Sequence, residues 1–497
     1  METLGVLITG VLIFMISSLL LFLLYTTWNF GIFKKMGVNG PSPSLLYGNR
    51  KTIAKLGIAE ADMMWWREYG DVFGHFVGRS PMLVVADTEM LKEILVKQFN
   101  NFTDRVVLRG FSGDAEEHLA SQQGKVWKSS RAVLSPAFTA GKLRKMDPLI
   151  TEAGDALVQH IKRAIKENEE VDIAYIFGCY TVDVIASTAF GLKVNSQGDP
   201  EDKFLQMVSK LISVTRTSPI LILATLIPFI ARPFAKFFNV SFLNEEASLF
   251  FKTTIVKEMT TRHLRKRYVD FIQLMMDAHN DDLQDADGKR GLTSTEIIAN
   301  CLIFFFAGYE TTAATLAFLT YFLALNPNVQ QKMFEEIVSE LGNEEPGYDN
   351  VGKLQYMDMC INETMRMFPI APRTDRLCVQ ETEVNGLNIP KGMQIAIPIW
   401  ILHHSDKLWE DPEKFEPERF SPENKAKMNP YQFMPFGYGP RICIGIRLAL
   451  TEIKIAMTKV LREFEINTCS RTKIPPKLKN SPNLVLSEDM WLKVVLR

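Results

Sequence analysis

Cysteine is scarce in this 497-residue chain: six residues (Cys179, Cys301, Cys360, Cys378, Cys443 and Cys469) lie scattered, with no CxxC pair. That excludes a disulfide framework and points to a reducing compartment for most of the chain. An excess of one charge sign is also missing. The formal net charge is −1 and no basic tail or nucleic-acid module is present, so nothing global attracts nucleic acid. Internal repeats and low-complexity tracts are absent, and after residue 50 no linker divides the chain. One large catalytic body over 51–497 is the simplest organisation. Zinc lacks support, because no second Cys or His stands at ligand spacing from Cys443 and His403-His404 is an isolated pair. The glycine-rich stretch around Cys443 is not a G-x-G-x-x-G dinucleotide fingerprint.

Charge is absent altogether from Leu4 to Tyr25, a run of 22 residues. A helix rising about 1.5 Å per residue makes that run long enough for a bilayer core of roughly 30 Å. Trp28 follows at interface depth, then Lys34 and Lys35, while only Glu2 precedes. Without a basic leading region or a small-residue cleavage site, this is an uncleaved membrane anchor rather than a signal peptide. The basic pair after the span places the body in the cytosol. Residues 1–33 are therefore expected to be anchor and flank, and 34–50, with "NGPSPS" at 39–44, a Pro/Gly-rich hinge.

Two further apolar stretches raise the same question. Residues 218–240 are interrupted by Pro219, Pro228 and Pro233, which suits short helices, buried or dipping into the membrane interface. Residues 297–325 carry Glu310 and follow Thr293 and Glu296 in capping-box spacing. That helix is either a second span or the centre of a large core. Elsewhere, 71–78 and 81–87 have strand character, and helical periodicity dominates to about residue 365. Asn385-Gly386 sits between apolar runs as a hairpin signal, 447–464 reads as helix and 484–497 as strand. The fold class is mainly α with small β-sheets.

The stretch "FGYGPRICIG", 436–445, surrounds Cys443 with chemistry that a structural thiol does not need. Gly437, Gly439 and Gly445 let the backbone turn tightly and approach a flat ligand. A helix starting near Ile446 favours a negative sulfur at its N-terminus. Arg441 offers a cation suited to a carboxylate.

In this setting Phe436, Gly439, Arg441, Cys443 and Gly445 match F-x-x-G-x-R-x-C-x-G, and the chain resembles the cytochromes P450. The resemblance implies a triangular, mainly α fold, with haem b as cofactor, Cys443 as its iron ligand and Phe436 packed beside it. It assigns Glu363 and Arg366 of "ETMR" and Arg419 of "PERF" to a buried structural charge network. "AGYETT" at 307–312 makes the apolar helix the central one, with room for dioxygen at Ala307-Gly308 and proton relay by Glu310 and Thr311. A Thr back-bond to the helix is the bland alternative for Thr311. Trp127 and Arg131 of "WKSSR" are expected at the haem propionates, as are Arg105, Arg441 and Arg376, with Arg373 competing for the place of Arg376. Phe111, Leu119, Ile303, Phe306, Ala307, Ile370, Ala371 and Val485 are expected to line an apolar substrate pocket.

The texture resembles the microsomal drug- and toxin-metabolising branch. It implies a monooxygenase on the endoplasmic reticulum membrane, fed from NADPH by a cytochrome P450 reductase, with cytochrome b5 as a further partner and a lipophilic substrate. Lys125, Lys128, Lys142, Arg144 and Lys145 suit an acidic partner, or are simply solvated. Two rivals stand beside it, a peroxide-rearranging haem-thiolate enzyme and a non-catalytic haem protein. The acid–alcohol pair at Glu310 and Thr311 argues against both.

Overall fold

The computed structural model describes residues 2–107, 116–211, 243–263, 270–278, 291–479 and 484–497, with 227, 233, 237 and 481 as isolated positions. The expected pocket residue Phe111 and most of 218–240 therefore lie outside the described residues. The chain forms two compact units, each assembled from separated stretches. Unit one comprises Met1–Leu108, Thr215–Asn239 and Arg373–Ile401; unit two comprises Arg109–Val214, Val240–Pro372 and Leu402–Arg497.

Unit one begins with helix α1 (Glu2–Thr27), whose apolar side chains point outward along its length. Its most apolar stretch is wholly unburied and long enough to cross a membrane. Its end is not loose. Arg79 lays its guanidinium 3.8 Å from the Tyr25 ring centroid. The next helix, α2 (Ile32–Met36), buries Phe33 against Phe76, and Phe30 joins them at 5.0 Å between ring centroids.

The segment expected to act as a hinge is laid along the strand Val72–Val77. Gly74 N–H donates to Asn39 O at 2.9 Å, and Asn49 N–H donates to Phe76 O at 2.7 Å. The Asn49 side chain accepts from Phe76 N–H and donates to Ser42 O. Proline leaves this segment short of donors, and the Asn49 side chain supplies part of what is missing. The approach is close at two glycines: a Cβ on Gly40 would stand 1.8 Å from Gly74 O, and one on Gly74 2.4 Å from the Phe33 ring.

The sheet of unit one runs Val72–Val77, Ser80–Val85, Gln394–Ile397, Thr374–Leu377 in spatial order, antiparallel except for the parallel middle pair. The two strands foreseen near 71–87 are the first two of these. A separate hairpin pairs Thr382–Val384 with Leu387–Ile389. Its Asn385-Gly386 turn has both φ values positive, 48° and 82°, as a two-residue hairpin requires.

Unit two is helical, and its helices used below are α3 (Gly124–Leu134), α4 (Ile173–Phe190), α5 (Ser294–Leu325), α6 (Gln355–Met367) and α7 (Ile446–Glu463). The capping box forms as expected: Glu296 N–H donates to Thr293 Oγ1, and Thr293 N–H to Glu296 Oε2. Both α4 and α5 are long and apolar enough to cross a membrane, yet they are largely buried against each other in the core. Being apolar all round is here the mark of a central helix. The tail strand is shorter than the apolar pattern suggested, Trp491–Leu496, between Glu170–Asp172 and Phe464–Asn467. Upstream, Val485 N–H and Met490 O bond to Ile370 O and Ile173 N–H instead, so ladder pairing starts only at 491.

Gly74→Ala should displace the Phe33 ring and cost about 1–3 kcal/mol of stability, as overpacking does. A lowered thermal midpoint in the full chain, largely restored by adding Phe33→Leu, is the expected outcome.

Candidate active site

The loop ahead of α7 is closed on itself. Cys443 N–H donates to Phe436 O at 3.0 Å, Ile442 N–H to Gly439 O, and Gly437 N–H to Met434 O. Gly437 and Gly439 have φ of 74° and 77°, so these two glycines are needed for the turn. Gly445 caps α7 with a negative φ and is not strained. Four of the other cysteines are buried, whereas Cys443 presents its thiol at the surface of the loop, three residues before the helix starts. A thiol in that place has the helix dipole behind it.

Beneath the loop lies the charge network. Glu363 and Arg366, three apart on α6, are fully buried and form a bidentate pair with N–O distances of 2.7 and 2.9 Å. Glu363 also accepts from Glu416 N–H, and Arg419 stands 3.5 Å from it. Burial pushes the Glu363 carboxyl up, against the pull of the two guanidiniums and the Glu416 N–H. Arg366 spends its remaining reach on the carbonyls of His403 and Lys414.

His403, unremarkable in sequence as half of a His-His pair, is a connector. Met434 N–H donates to its Nε2 at 3.0 Å, so the proton sits on Nδ1 and is given to Met365 O. Burial holds the ring neutral. Through it, the last turn of α6 is joined to the residue that opens the cysteine loop.

On α5, which is buried over most of its length, Ile303 and every residue from 306 to 311 are partly open. Within that opening, spacing places Ile303, Phe306, Ala307, Glu310 and Thr311 on one helix face. Glu310 is mostly buried with Oε2 lacking a hydrogen-bond partner. Burial raises its carboxyl pKa, and Lys479 Nζ, 3.9 Å from Oε1, opposes that. The Thr311 hydroxyl donates to Ala307 O at 2.6 Å, the back-bond named above as the bland alternative. Its proton is thus committed while its oxygen remains able to accept. A Cβ on Gly308 would meet Ile185 of α4 at 2.8 Å, so the missing side chain lets the two helices pack closely.

The Lys479 backbone belongs to an irregular hairpin in which 479 bonds to 486 and 488 to 477. That same hairpin delivers Val485 to Ile370, N–H to carbonyl, at 2.8 Å. It therefore brings three expected residues of unit two, Val485, Ile370 and Glu310, into relation. Ala371 follows Ile370 and is half-buried.

The expected propionate ligands fall into two groups. In unit two, the Arg441 guanidinium stacks 4.0 Å from the Trp127 ring centroid, with Arg131 one turn further along α3. Leu119, expected in the pocket, is buried, and its carbonyl accepts from Arg441. In unit one, Arg105 and Arg376 are electrostatic neighbours, and burial together with the Arg105 charge depresses Arg376 to about 9. Its competitor Arg373 is occupied elsewhere by Asp62, Met82 Sδ and His75. Of the surface cations, Lys125, Lys128, Arg144 and Lys145 are exposed and Lys142 is half-buried, but Arg144 is already paired with Asp349 at 2.6 Å.

Comparison with known proteins agrees in kind. The cytochrome P450 family model matches residues 38–491. The chain is 39% identical to mouse cytochrome P450 3A13 over 97% of its length and 95% of the relative's. It is 40% identical to rat cytochrome P450 3A2 (97% and 96% covered) and 38% to human cytochrome P450 3A7 (97% and 95%).

Arg366→Leu leaves Glu363 buried without its main counter-charge, so a loss of about 3–5 kcal/mol is expected, read as failure to accumulate folded protein. Lys479→Ala removes the cation that opposes the raised Glu310 carboxyl. The infrared carboxylic-acid band assigned by difference against Glu310→Gln should then persist to higher pH than in the parent.

Proposed function

Since the chain belongs to the cytochrome P450 family, a family of haem monooxygenases, we propose that it oxygenates a lipophilic small molecule at the endoplasmic reticulum membrane. Residues 1–33 serve as its single anchor, and residues 51–497 work in the cytosol as one catalytic domain. Electrons come from NADPH through NADPH-cytochrome P450 reductase, with cytochrome b5 as a second donor. The substrate is of xenobiotic, steroid or fatty-acid-like type.

The observation that carries this reading is the loop of Cys443. Its thiol is presented outward by a turn that two positive-φ glycines make possible, just ahead of a helix N-terminus. The residues suit haem b in two further respects. Burial and the Arg105 charge depress Arg376 while Asp375 opposes them, and an anionic carboxylate bound there would add to that opposition. Ile303, Phe306 and Ala307 give the partly open face of a core helix an apolar part beside Glu310 and Thr311.

Bound haem supplies the activation of dioxygen, with thiolate ligation favouring cleavage of the O–O bond. The chain's own residues do the rest. Cys443 would ligate the iron; Arg105, Trp127, Arg131, Arg376 and Arg441 would answer the carboxylates, and Phe436 would pack beside the sulfur. Glu310, kept protonatable by burial, would supply protons, and Thr311, whose own proton stays on Ala307 O, would accept a hydrogen bond on its hydroxyl oxygen and so orient the transfer. Ile303, Phe306, Ala307, Ile370, Ala371 and Val485, with Phe111 and Leu119, give the substrate an apolar enclosure. Basic residues about Lys125, Lys128, Lys142 and Lys145 receive the acidic reductase.

The reduced, carbon monoxide-bound protein should show the red-shifted Soret band of thiolate ligation, and Cys443→Ser should abolish it; a normal band in that variant overturns the assignment. With reductase and NADPH, Thr311→Ala should consume oxygen while yielding less product, on the order of a 10- to 100-fold loss of coupling. Unchanged product per NADPH removes Thr311 from the relay.

A further inference from the structure

Arg441 is held by more than its own loop. Its Nη2 donates to Gln122 O at 2.7 Å and its Nη1 approaches Leu119 O at 3.4 Å, while the guanidinium face lies on Trp127. Both carbonyls belong to the short stretch that leads into α3. That stretch is in turn fastened to the first turns of α5. Leu119 N–H donates to Asn300 Oδ1 at 2.9 Å, and Gln122 Nε2 donates to Glu296 Oε1 at 2.8 Å and to Glu117 O at 3.0 Å. Asn300 is itself set by a bond from Nδ2 to Glu296 O at 2.7 Å, and Glu296 by the capping box with Thr293. Arg441, Gln122, Glu296, Asn300 and Leu119 are all buried.

The geometry points to Gln122 and Asn300 as positioning residues that hold the Arg441 guanidinium through the carbonyls of Gln122 and Leu119. The inference rests on the reading of Arg441 as a haem-carboxylate ligand. Two of the guanidinium nitrogens are committed to backbone that cannot rotate, because that backbone is tied at both ends to a helix. An arginine side chain otherwise loses considerable rotamer freedom when it binds. Here the loss is taken on folding, so the cation meets a carboxylate already aimed. Sequence comparison with a motif finds Arg441 but not this support, since Gln122 and Asn300 stand 319 and 141 positions away and have no local signature.

A double-mutant cycle on the full-length, haem-loaded protein in phospholipid nanodiscs tests this, with release of haem to excess apomyoglobin as the readout. Gln122→Leu and Asn300→Leu, close in size to the originals, should each speed release about three- to tenfold, the worth of one buried hydrogen bond. Introduced on top of Arg441→Leu, neither should add more than about twofold, because the residue they act through is gone. Full multiplication of the two effects, or no effect of the single substitutions, overturns the positioning role. Should Asn300→Leu yield no folded protein, Gln122→Leu, outside the helix, decides the question alone. An unchanged release rate in Arg441→Leu by itself sinks the carboxylate reading and this inference with it, whereas full multiplication sinks the inference only.

Discussion

A fully buried ion pair organises the cysteine side of unit two. Glu363 and Arg366 sit one helical turn apart with no solvent to satisfy them, so every remaining lone pair and N–H must be answered by protein. That demand draws in the backbone of residues 403, 414 and 416 and the side chain of Arg419. His403, whose carbonyl is claimed by Arg366, is thereby placed to bind Met434, from which the chain turns into the loop of Cys443. The position of the thiol thus descends, bond by bond, from an electrostatic need several segments away.

The central helix works by a different constraint. Once α5 is surrounded by protein, any polar side chain on it is costly unless paired or useful. Glu296 and Asn300 are paired, the first in a cap and both in the support of Arg441. Glu310 is not fully paired; burial raises its pKa, and Lys479, 3.9 Å from Oε1, opposes that. An acid kept in that condition is ready to give up a proton, which agrees with its place in the proposed relay. Thr311, by contrast, has its own proton tied to the helix, and this gives the two neighbours unlike roles.

The membrane end shows how little freedom a Pro/Gly-rich segment need have. Composition made 34–50 a joint, and the Asn49 side chain together with backbone bonds of Asn39 and Asn49 lays it along a sheet edge. With Tyr25 under Arg79 and Phe33 under Phe76, the anchor leaves unit one from a packed base rather than a tether.

Much of this was written in local sequence. The uncharged run to Tyr25, the capping box at Thr293 and Glu296, the Asn385-Gly386 hairpin and the glycine-bound Cys443 each carry their physics within a few neighbouring residues. Spacing of three placed Glu363 beside Arg366 on a helix before any fold was known, because helical geometry alone decides that. What only tertiary structure decided involves partners far apart in the chain. Whether the apolar helix at 294–325 crosses lipid or fills a core depends on what packs around it, and hydrophobicity is the same in both cases. Gly308 was legible as a missing side chain, but not as the seat of Ile185 from another helix. Arg373 and Arg376 are equivalent cations in sequence; the presence of Asp62 beside one of them separates their fates. His403, Gln122, Asn300 and Lys479 act through contacts that no spacing encodes, so their roles belong to the fold.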